Sequence, residues 1–201
     1  MNNRLLNPYL RGLADGADKA LHYDAEQMKT PSVEPDTGMF LEHFAYSLKP
    51  SRILELGCGV GVSTRYMAKG APSAHITAVD YNKSRLDYAE SRCAGLNTRF
   101  VNSDVIKFLK TNTETYDMIF VDSMKKQYPI VFYHAYKLLN QGGSIIFDDI
   151  FVYGEVFCED CEIAPKYINV VKTMRNFMNH IKYTHSHSFL PIGGGLLLVR
   201  K

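Results

Sequence analysis

The chain has 201 residues, with 23 Lys and Arg against 21 Asp and Glu, and therefore a formal net charge of +2. This length accommodates one domain with a substantial core, and so small a charge neither demands nor excludes a polyanionic partner. Four cysteines are too few for a disulfide scaffold, and neither a signal peptide nor an apolar run of roughly 20 residues is found, so we expect a cytoplasmic protein with no membrane partner.

The first 50 residues are predicted to form helices, broken at Pro31, Pro35 and Gly38. We interpret residues 1–50 as a helical lid segment of the same domain, which covers the open end of a sheet formed by residues 51–201. No internal repeat, low-complexity tract or linker divides the chain. The sequence therefore predicts a single domain.

From Arg52 onward, short apolar runs alternate with longer amphipathic segments. The predicted strands, in chain order, are 53–56, 74–79, 98–101, 116–121, 144–147, 183–190 and 196–200. Between them we predict helices at 62–69, from Asn82 or Ser84 towards Cys93, after Asp104, from about Pro129, and at 166–181. The helix from Pro129 has an apolar stripe formed by Ile130, Phe132, Tyr133, Tyr136 and Leu139. This alternation predicts an α/β fold, a parallel sheet with helices on both faces, in which the glycine-rich turn 191–195 makes the last two strands antiparallel.

A glycine-rich loop, residues 57–61, follows the first strand and opens a helix, which is the context of a nucleotide-binding loop. The dinucleotide fingerprint requires a small residue at position 62, and Val62 is neither Gly nor Ala. Asp80 ends the second strand and is placed to bond ribose hydroxyls. Asp104 closes the third strand region. A structural turn and helix caps are the alternative interpretation of these residues.

Two apolar runs end abruptly in carboxylates: Asp122 follows Ile119–Val121, and Asp148 and Asp149 follow Ile145–Phe147. An unpaired carboxylate is costly to bury, and the carboxyl ends of strands in an open α/β sheet face bound ligands. Three acids at one end of the sheet predict a cage for a hard divalent cation. Helix N-caps are the alternative, although two adjacent acids exceed what a cap needs.

These segments resemble a known family. The pattern from Glu55 to Gly61 resembles motif I of class I S-adenosylmethionine-dependent methyltransferases. Residues 119–129, 142–149 and 189–200 resemble signature segments of the cation-dependent O-methyltransferases, which include catechol and caffeoyl-CoA O-methyltransferases and a bacterial branch with tRNA 5-hydroxyuridine methyltransferases. Residues 29–38 resemble the family segment that helps form the lid. The resemblance implies a Rossmann-like methyltransferase fold with a seven-stranded, mostly parallel sheet and an antiparallel last strand.

The resemblance also implies the site residues. Asp122, Asp148 and Asp149 match the ligands of Mg²⁺ or another divalent cation. Lys125 matches the general base, with Asp122 beside it in catalysis, and a nearby divalent ion would lower the pKa of that lysine. Tyr128 matches an aromatic position of the same loop, and Asp104 an acid that contacts adenine. The residues matched to the S-adenosylmethionine site are Glu55, Gly57, Gly59, Gly61, Ser63, Asp80, Asp104 and Asp122.

Two positions depart from the family pattern. The usual Asp-Asn pair after the fifth strand is Asp148-Asp149 here, which makes the cage more anionic unless Asp149 stays protonated and imitates the amide. In the turn near the C terminus, Gly194 replaces the usual acid.

The predicted reaction is methyl transfer to a hydroxyl with a neighbouring oxygen that chelates the same metal. The acceptor is a catechol-like small molecule or 5-hydroxyuridine in tRNA. Four basic residues either contact phosphates or form a solvated helix face: Lys166, Lys172, Arg175 and Lys182. The resemblance also implies that the chain forms a homodimer. The alternatives are a non-catalytic cofactor-binding protein of the same fold, and a nicotinamide-dependent oxidoreductase, which Val62 and the reversed strand disfavour.

Two further predictions concern side chains near the acids. We interpret Cys158 and Cys161 as an ordinary reduced loop, because no second pair completes a zinc site. Phe147, Phe151 and Tyr153 are expected to pack in the protein rather than to stack on a substrate.

Overall fold

The computed structural model describes Tyr9 and residues 19–201. Its strands are β1 Arg52–Leu56, β2 His75–Asp80, β3 Thr98–Asn102, β4 Tyr116–Val121, β5 Leu139–Phe147, β6 Ser186–Leu190 and β7 Leu196–Arg200. The described helices are α1 Lys19–Gln27, α2 Pro35–Leu48, α3 Val62–Gly70, α4 Lys83–Arg92, α5 Val105–Thr111, α6 Tyr128–Leu138 and α7 Ile168–Thr184. Short 3₁₀ turns lie at Lys125–Gln127 and Val152–Phe157.

The strands form one sheet in the order β3-β2-β1-β4-β5-β7-β6. Strands β1 to β5 pair in parallel, and β7 pairs antiparallel with both β5 and β6. In the two pairings of β7, Arg200 lies opposite Ser144 of β5 and opposite Ser186 of β6. The predicted fold class is therefore confirmed, and β7 is the strand that runs against its neighbours.

Both faces of the sheet are covered because its central strands are apolar on both sides. Side chains alternate along β4: Ile119 and Val121 join a core with α5, α6 and α7, whereas Met118 and Phe120 join a core with α1, α2 and α3. On the second face, Leu86 of α4 packs with residues of β2 and the glycine-rich loop. The helices are thus divided between the two faces of the sheet.

Most predicted elements are confirmed to within a few residues. Asn82 is the cap of α4, since its side chain accepts a hydrogen bond from the Arg85 N–H at 3.2 Å. The stripe predicted for α6 is partly wrong. Phe132 and Leu139 are buried as predicted. Ile130 and Tyr133 are exposed, because the face of α6 that packs on the core follows the spacing 128, 131, 132 and 135.

The prediction that Gly38 breaks a helix is also wrong, because it lies inside α2. A Cβ at this position would lie 2.3 Å from the ring of Tyr66 in α3, so the glycine allows the two helices to pack closely. Pro35, by contrast, begins α2, where its missing N–H has no helical partner to lose. The lid role of residues 1–50 stays a prediction, and residues 1–8 and 10–18 lie outside the described part.

Candidate active site

The site lies where β1 and β4 are neighbours in the sheet. The chain leaves β1 towards α3 on one face and leaves β4 towards α6 on the other, which opens a crevice at the carboxyl ends of these strands. Gly57 has a φ of +98°, and a Cβ there would lie 2.0 Å from the Asp122 carbonyl oxygen. Only glycine therefore allows the loop after β1 to pass the end of β4.

The predicted cofactor acids meet this loop in different ways. Asp80 is buried at the end of β2, where one carboxylate oxygen accepts the Gly59 N–H at 3.0 Å and the other accepts the Asn82 N–H at 2.8 Å. A carboxylate has about four lone-pair positions, so two remain for ribose hydroxyls. Asp104 is exposed and caps α5 by accepting the Lys107 N–H at 2.9 Å. Their contacts with a cofactor stay predictions.

Glu55 lies in β1 beneath the loop and is fully buried. Its carboxylate accepts hydrogen bonds from the hydroxyls of Ser63 and Thr64, in the first turn of α3. Burial raises the pKa of Glu55 to about 7, although the two hydroxyls act in the opposite direction. Glu55 and Ser63 therefore hold the helix to the strand below the loop, while Gly61 ends the loop with a φ of +90°.

The carboxylate cluster forms around one lysine. The Lys125 ammonium lies 3.1 Å from Asp122 Oδ1 and 2.9 Å from Asp149 Oδ2. Asp148 is buried, and its Oδ1 accepts the Asp149 N–H at 2.7 Å. Tyr128 is fully buried, and its hydroxyl donates to the Asp148 carbonyl oxygen at 2.9 Å. The structure therefore brings the three predicted ligands and the predicted base together.

Burial and neighbouring charges together shift the pKa values of the cluster. Burial raises the pKa of Asp122, and the Lys125 charge only partly opposes it. Burial, followed by the charges of Asp122 and Asp149, raises the pKa of Asp148 well above the ordinary value. Burial alone would lower the pKa of Lys125, but the two carboxylates outweigh it and raise that pKa. Asp148 therefore favours its protonated form.

The donor set fits a hard divalent cation. The carboxylates of Asp122 and Asp149 contact one ammonium, and Asp148 lies beside them and bonds the Asp149 N–H. Carboxyl oxygens of this kind are the ligands that Mg²⁺ prefers. Among the described residues, no group of three or more His, Cys, Asp or Glu side chains is arranged to hold a metal as it stands. Lys125 spans the gap between Asp122 and Asp149, so a cation held by these carboxylates would displace the Lys125 ammonium.

A cavity of about 170 Å³ adjoins the cluster. It is lined by Lys125, Asp149, Val152, Tyr153, Tyr167 and Val170. Tyr153 is 84% exposed and lies 5.7 Å from Tyr167 between ring centroids, so the prediction that it packs internally is wrong. Phe147, by contrast, is fully buried as predicted. Cavities of about 710 and 770 Å³ elsewhere are lined by none of the predicted site residues.

The sequence reasoning missed Tyr167. No spacing signals it, because an irregular loop separates it from Tyr153, and only the closure of that loop brings both rings to the cavity. Arg175 holds the loop on α7: its Nε donates to the Val156 carbonyl oxygen at 3.2 Å, and its other nitrogens bind Asp160 and the Cys158 carbonyl. Arg175 is therefore engaged within the protein rather than available for phosphate.

Residues 29–38 run across the open end of the site. Thr30 Cγ2 lies 3.4 Å from where a Gly59 Cβ would be, and Asp36 Oδ2 accepts the Gly193 N–H at 3.1 Å. The segment thus extends from the glycine-rich loop to the turn before β7. This course agrees with a covering role for the segment, which stays a prediction.

The two cysteines of the loop before α7 can also be placed in the structure. Cys158 is half-buried and Cys161 exposed, and both are free thiols. No helix within the described residues is long and apolar enough to cross a membrane. The homodimer and the cytoplasmic location stay predictions.

Comparison with known proteins gives matches over nearly the whole chain. The O-methyltransferase family model matches residues 7–201. Catechol O-methyltransferase of Niastella koreensis is 28% identical over 177 residues, 80% of each chain. A Staphylococcus aureus protein provisionally assigned as a caffeoyl-CoA O-methyltransferase has a TM-score of 0.87 at 23% identity, over 98% of this chain and 100% of that one. An O-methyltransferase from Bacillus cereus, solved with SAH, has a TM-score of 0.78 at 25% identity, over 98% and 97%.

Proposed function

Because the chain belongs to the O-methyltransferase family, we propose that it transfers a methyl group from S-adenosylmethionine to a hydroxyl of a catechol-like small molecule, with a divalent cation bound at the carboxylate cluster. Membership of the family excludes the nicotinamide-dependent oxidoreductase. The observation that carries the proposal is the grouping of Asp122, Asp148 and Asp149 around Lys125, beside a small cavity.

The cofactor site in this proposal is the crevice between β1 and β4. The Bacillus cereus relative was solved with SAH, which supports the same class of cofactor here. The glycine-rich loop lets the ligand approach the backbone, and Asp80 receives ribose hydroxyls with its remaining lone pairs. When bound, S-adenosylmethionine supplies an electrophilic methyl group next to the carboxylate cluster. Asp104, at the start of α5, is the proposed contact of the adenine ring.

Lys125 is the proposed general base for the acceptor hydroxyl. Between two carboxylates it holds its proton, since their charges raise its pKa. A divalent cation held by the same carboxylates would supply the opposing charge that favours the neutral amine, and it would favour ionisation of the acceptor hydroxyl. The amine then accepts the hydroxyl proton, and the residues around the cavity position the oxygen for in-line attack on the methyl carbon.

The cavity supports a small acceptor. Pockets for drug-sized ligands have volumes of about 300–1,000 Å³, so about 170 Å³ suits one substituted ring, which Tyr153 and Tyr167 can flank. The loop between these tyrosines contains four acidic residues, Glu155, Glu159, Asp160 and Glu162, and only one basic residue, Lys166. Such a loop repels a polyanion, and we therefore favour a small phenol over tRNA.

The test is transfer of labelled methyl groups to a catechol panel and, separately, to total tRNA, with and without a chelator. We expect transfer to a catechol that EDTA abolishes and Mg²⁺ restores. Asp122→Asn should reduce this transfer by about 10²-fold or more, because it removes a carboxylate that is both a proposed ligand of the cation and a contact of the proposed base. Asp117→Asn is the matched control, since Asp117 lies near the opposite end of the same strand, and this variant should keep its activity within about twofold of the wild type.

Each outcome bears on a separate part of the proposal. Transfer that persists in EDTA contradicts the metal role and leaves the family assignment intact. Transfer to tRNA but to no catechol contradicts the small acceptor. Binding of S-adenosylmethionine by calorimetry, with no transfer to either acceptor under any divalent ion, favours the non-catalytic alternative.

A further inference from the structure

Gly194 lies directly against the side chain of Asp149. A Cβ on Gly194 would lie 2.0 Å from Asp149 Oδ1, 3.0 Å from its Cγ and 3.2 Å from its Cα. Gly194 has no positive φ, unlike Gly193 and Gly195 on either side of it. The backbone φ at position 194 therefore does not require glycine, and what glycine supplies there is space for the Asp149 carboxylate.

The turn that contains Gly194 cannot simply move away from Asp149. The Ile150 N–H donates to the Gly195 carbonyl oxygen at 3.0 Å, and the Phe151 N–H donates to the Gly194 carbonyl oxygen at 3.1 Å. On its other side, the Gly193 N–H donates to Asp36. With the backbone held on both sides, the movable group is the end of the Asp149 side chain.

Asp149 itself is held in a restricted arrangement. Its backbone has a φ of +54°, in the left-handed region, and its Oδ2 lies 2.9 Å from Lys125 Nζ. A side chain at position 194 would turn the carboxylate out of this contact and away from the cavity that Asp149 lines.

We propose that Gly194 is a positioning residue of the site: the space it leaves holds the Asp149 carboxylate against Lys125 and beside the acceptor cavity. The consequence for metal binding rests on the proposed function, whereas the geometric claim does not. Mutation of a residue that positions a metal ligand typically lowers metal affinity by about 10- to 100-fold.

The first experiment is a crystal structure of Gly194→Ala. We expect the Asp149–Lys125 contact to lengthen from 2.9 Å to more than about 4 Å, beyond ion-pair distance, with the backbone of residues 193–195 in place. Retention of the contact would overturn the proposal. If Gly194→Ala does not fold, Gly194→Ala combined with Asp149→Gly becomes the test. Folding restored by removal of the Asp149 side chain supports the proposal, and continued misfolding contradicts it.

The second experiment is a double-mutant cycle for Mn²⁺ binding by calorimetry, without acceptor, in the wild type, Gly194→Ala, Asp149→Gly and the double variant. We expect Gly194→Ala to raise the Kd by about tenfold or more in the wild type and by less than about twofold when Asp149 is glycine. Equal effects in both backgrounds would indicate a purely structural role and refute the proposal. If the wild type binds no Mn²⁺, the metal part of the proposed function fails, and the crystal structure alone decides the role of Gly194.

Discussion

Replacing Glu55 by glutamine removes an ionisable group from the interior with little change in the shape of the side chain. Glu55 is fully buried, and its carboxylate accepts hydrogen bonds from Ser63 and Thr64. Burial, with smaller contributions from the charges of Asp122 and Asp80, raises its pKa from 4.5 to about 7. An amide at this position still accepts one hydrogen bond and carries no charge. The substitution therefore isolates the energy of burying the carboxylate.

The magnitude follows from the difference between the two pKa values. Between pH 4.5 and 7 the folded state keeps a proton that the unfolded state has lost. The stability that Glu55 contributes is thus complete below pH 4.5 and is lost as the pH rises through 7. A shift of about 2.5 units, at about 1.4 kcal/mol per unit, corresponds to a loss of about 3 kcal/mol. Glu55→Gln should lack this loss and be more stable than the wild type at pH 8.

The assay is urea unfolding at half-unit intervals from pH 4 to pH 8. The difference in unfolding free energy between Glu55→Gln and the wild type should grow by about 3 kcal/mol over this range. Glu114→Gln is the control of opposite sign. Burial acts to raise the pKa of Glu114, but Arg52 and Arg99 lower it overall, so its contribution is lost as the pH falls. Parallel curves for Glu55→Gln and the wild type would refute the reasoning, because they would show that Glu55 titrates alike in both states.

Three further substitutions test the loop, the cavity and the base. Gly57→Ala should destabilise the protein by about 3 kcal/mol or more in urea unfolding, because the added Cβ would meet the Asp122 carbonyl oxygen. The control Gly142→Ala, at a φ of +78° with open space around it, should cost about 1 kcal/mol. Equal costs for the two variants would contradict the steric argument. Tyr153→Ala should raise the KM for a catechol about fivefold with an unchanged melting temperature, since the ring is exposed and an aromatic pair contributes about 1 kcal/mol. Lys125→Met should lower kcat by about 10²- to 10⁴-fold while calorimetry shows intact cofactor binding, and a decrease below tenfold would argue against the base.

The positions of the acids at strand ends could be predicted because parallel strands present their carboxyl ends at one side of a sheet. Asp122, Asp148 and Asp149 directly follow apolar runs that are typical of buried strands, and the structure places all three near Lys125. The antiparallel β7 followed from the short turn before it. Both features follow from the order of apolar runs, turns and acids along the chain.

Side-chain surroundings were harder to predict. The α6 stripe was misplaced because hydrophobic periodicity does not reveal which face a neighbouring helix covers. Gly38 resembles a helix breaker in the sequence, yet it makes room for the Tyr66 ring. The sequence predicts that Tyr153 packs internally, but its backbone is left-handed, with a φ of +58°, as is that of the following glycine, and its ring lines the cavity.

The sequence by itself determined the order of the elements, the glycine-rich loop and the acids at the strand ends, because these depend on local composition and on the alternation of strands and helices. It also identified Asp149 and Gly194 as two separate departures from the family pattern. Only the tertiary structure decided that they are in contact, since the antiparallel pairing of β5 with β7 brings the turn before β7 against the residue that follows Asp148. The space left by the glycine and the carboxylate that fills it are therefore one feature of the site.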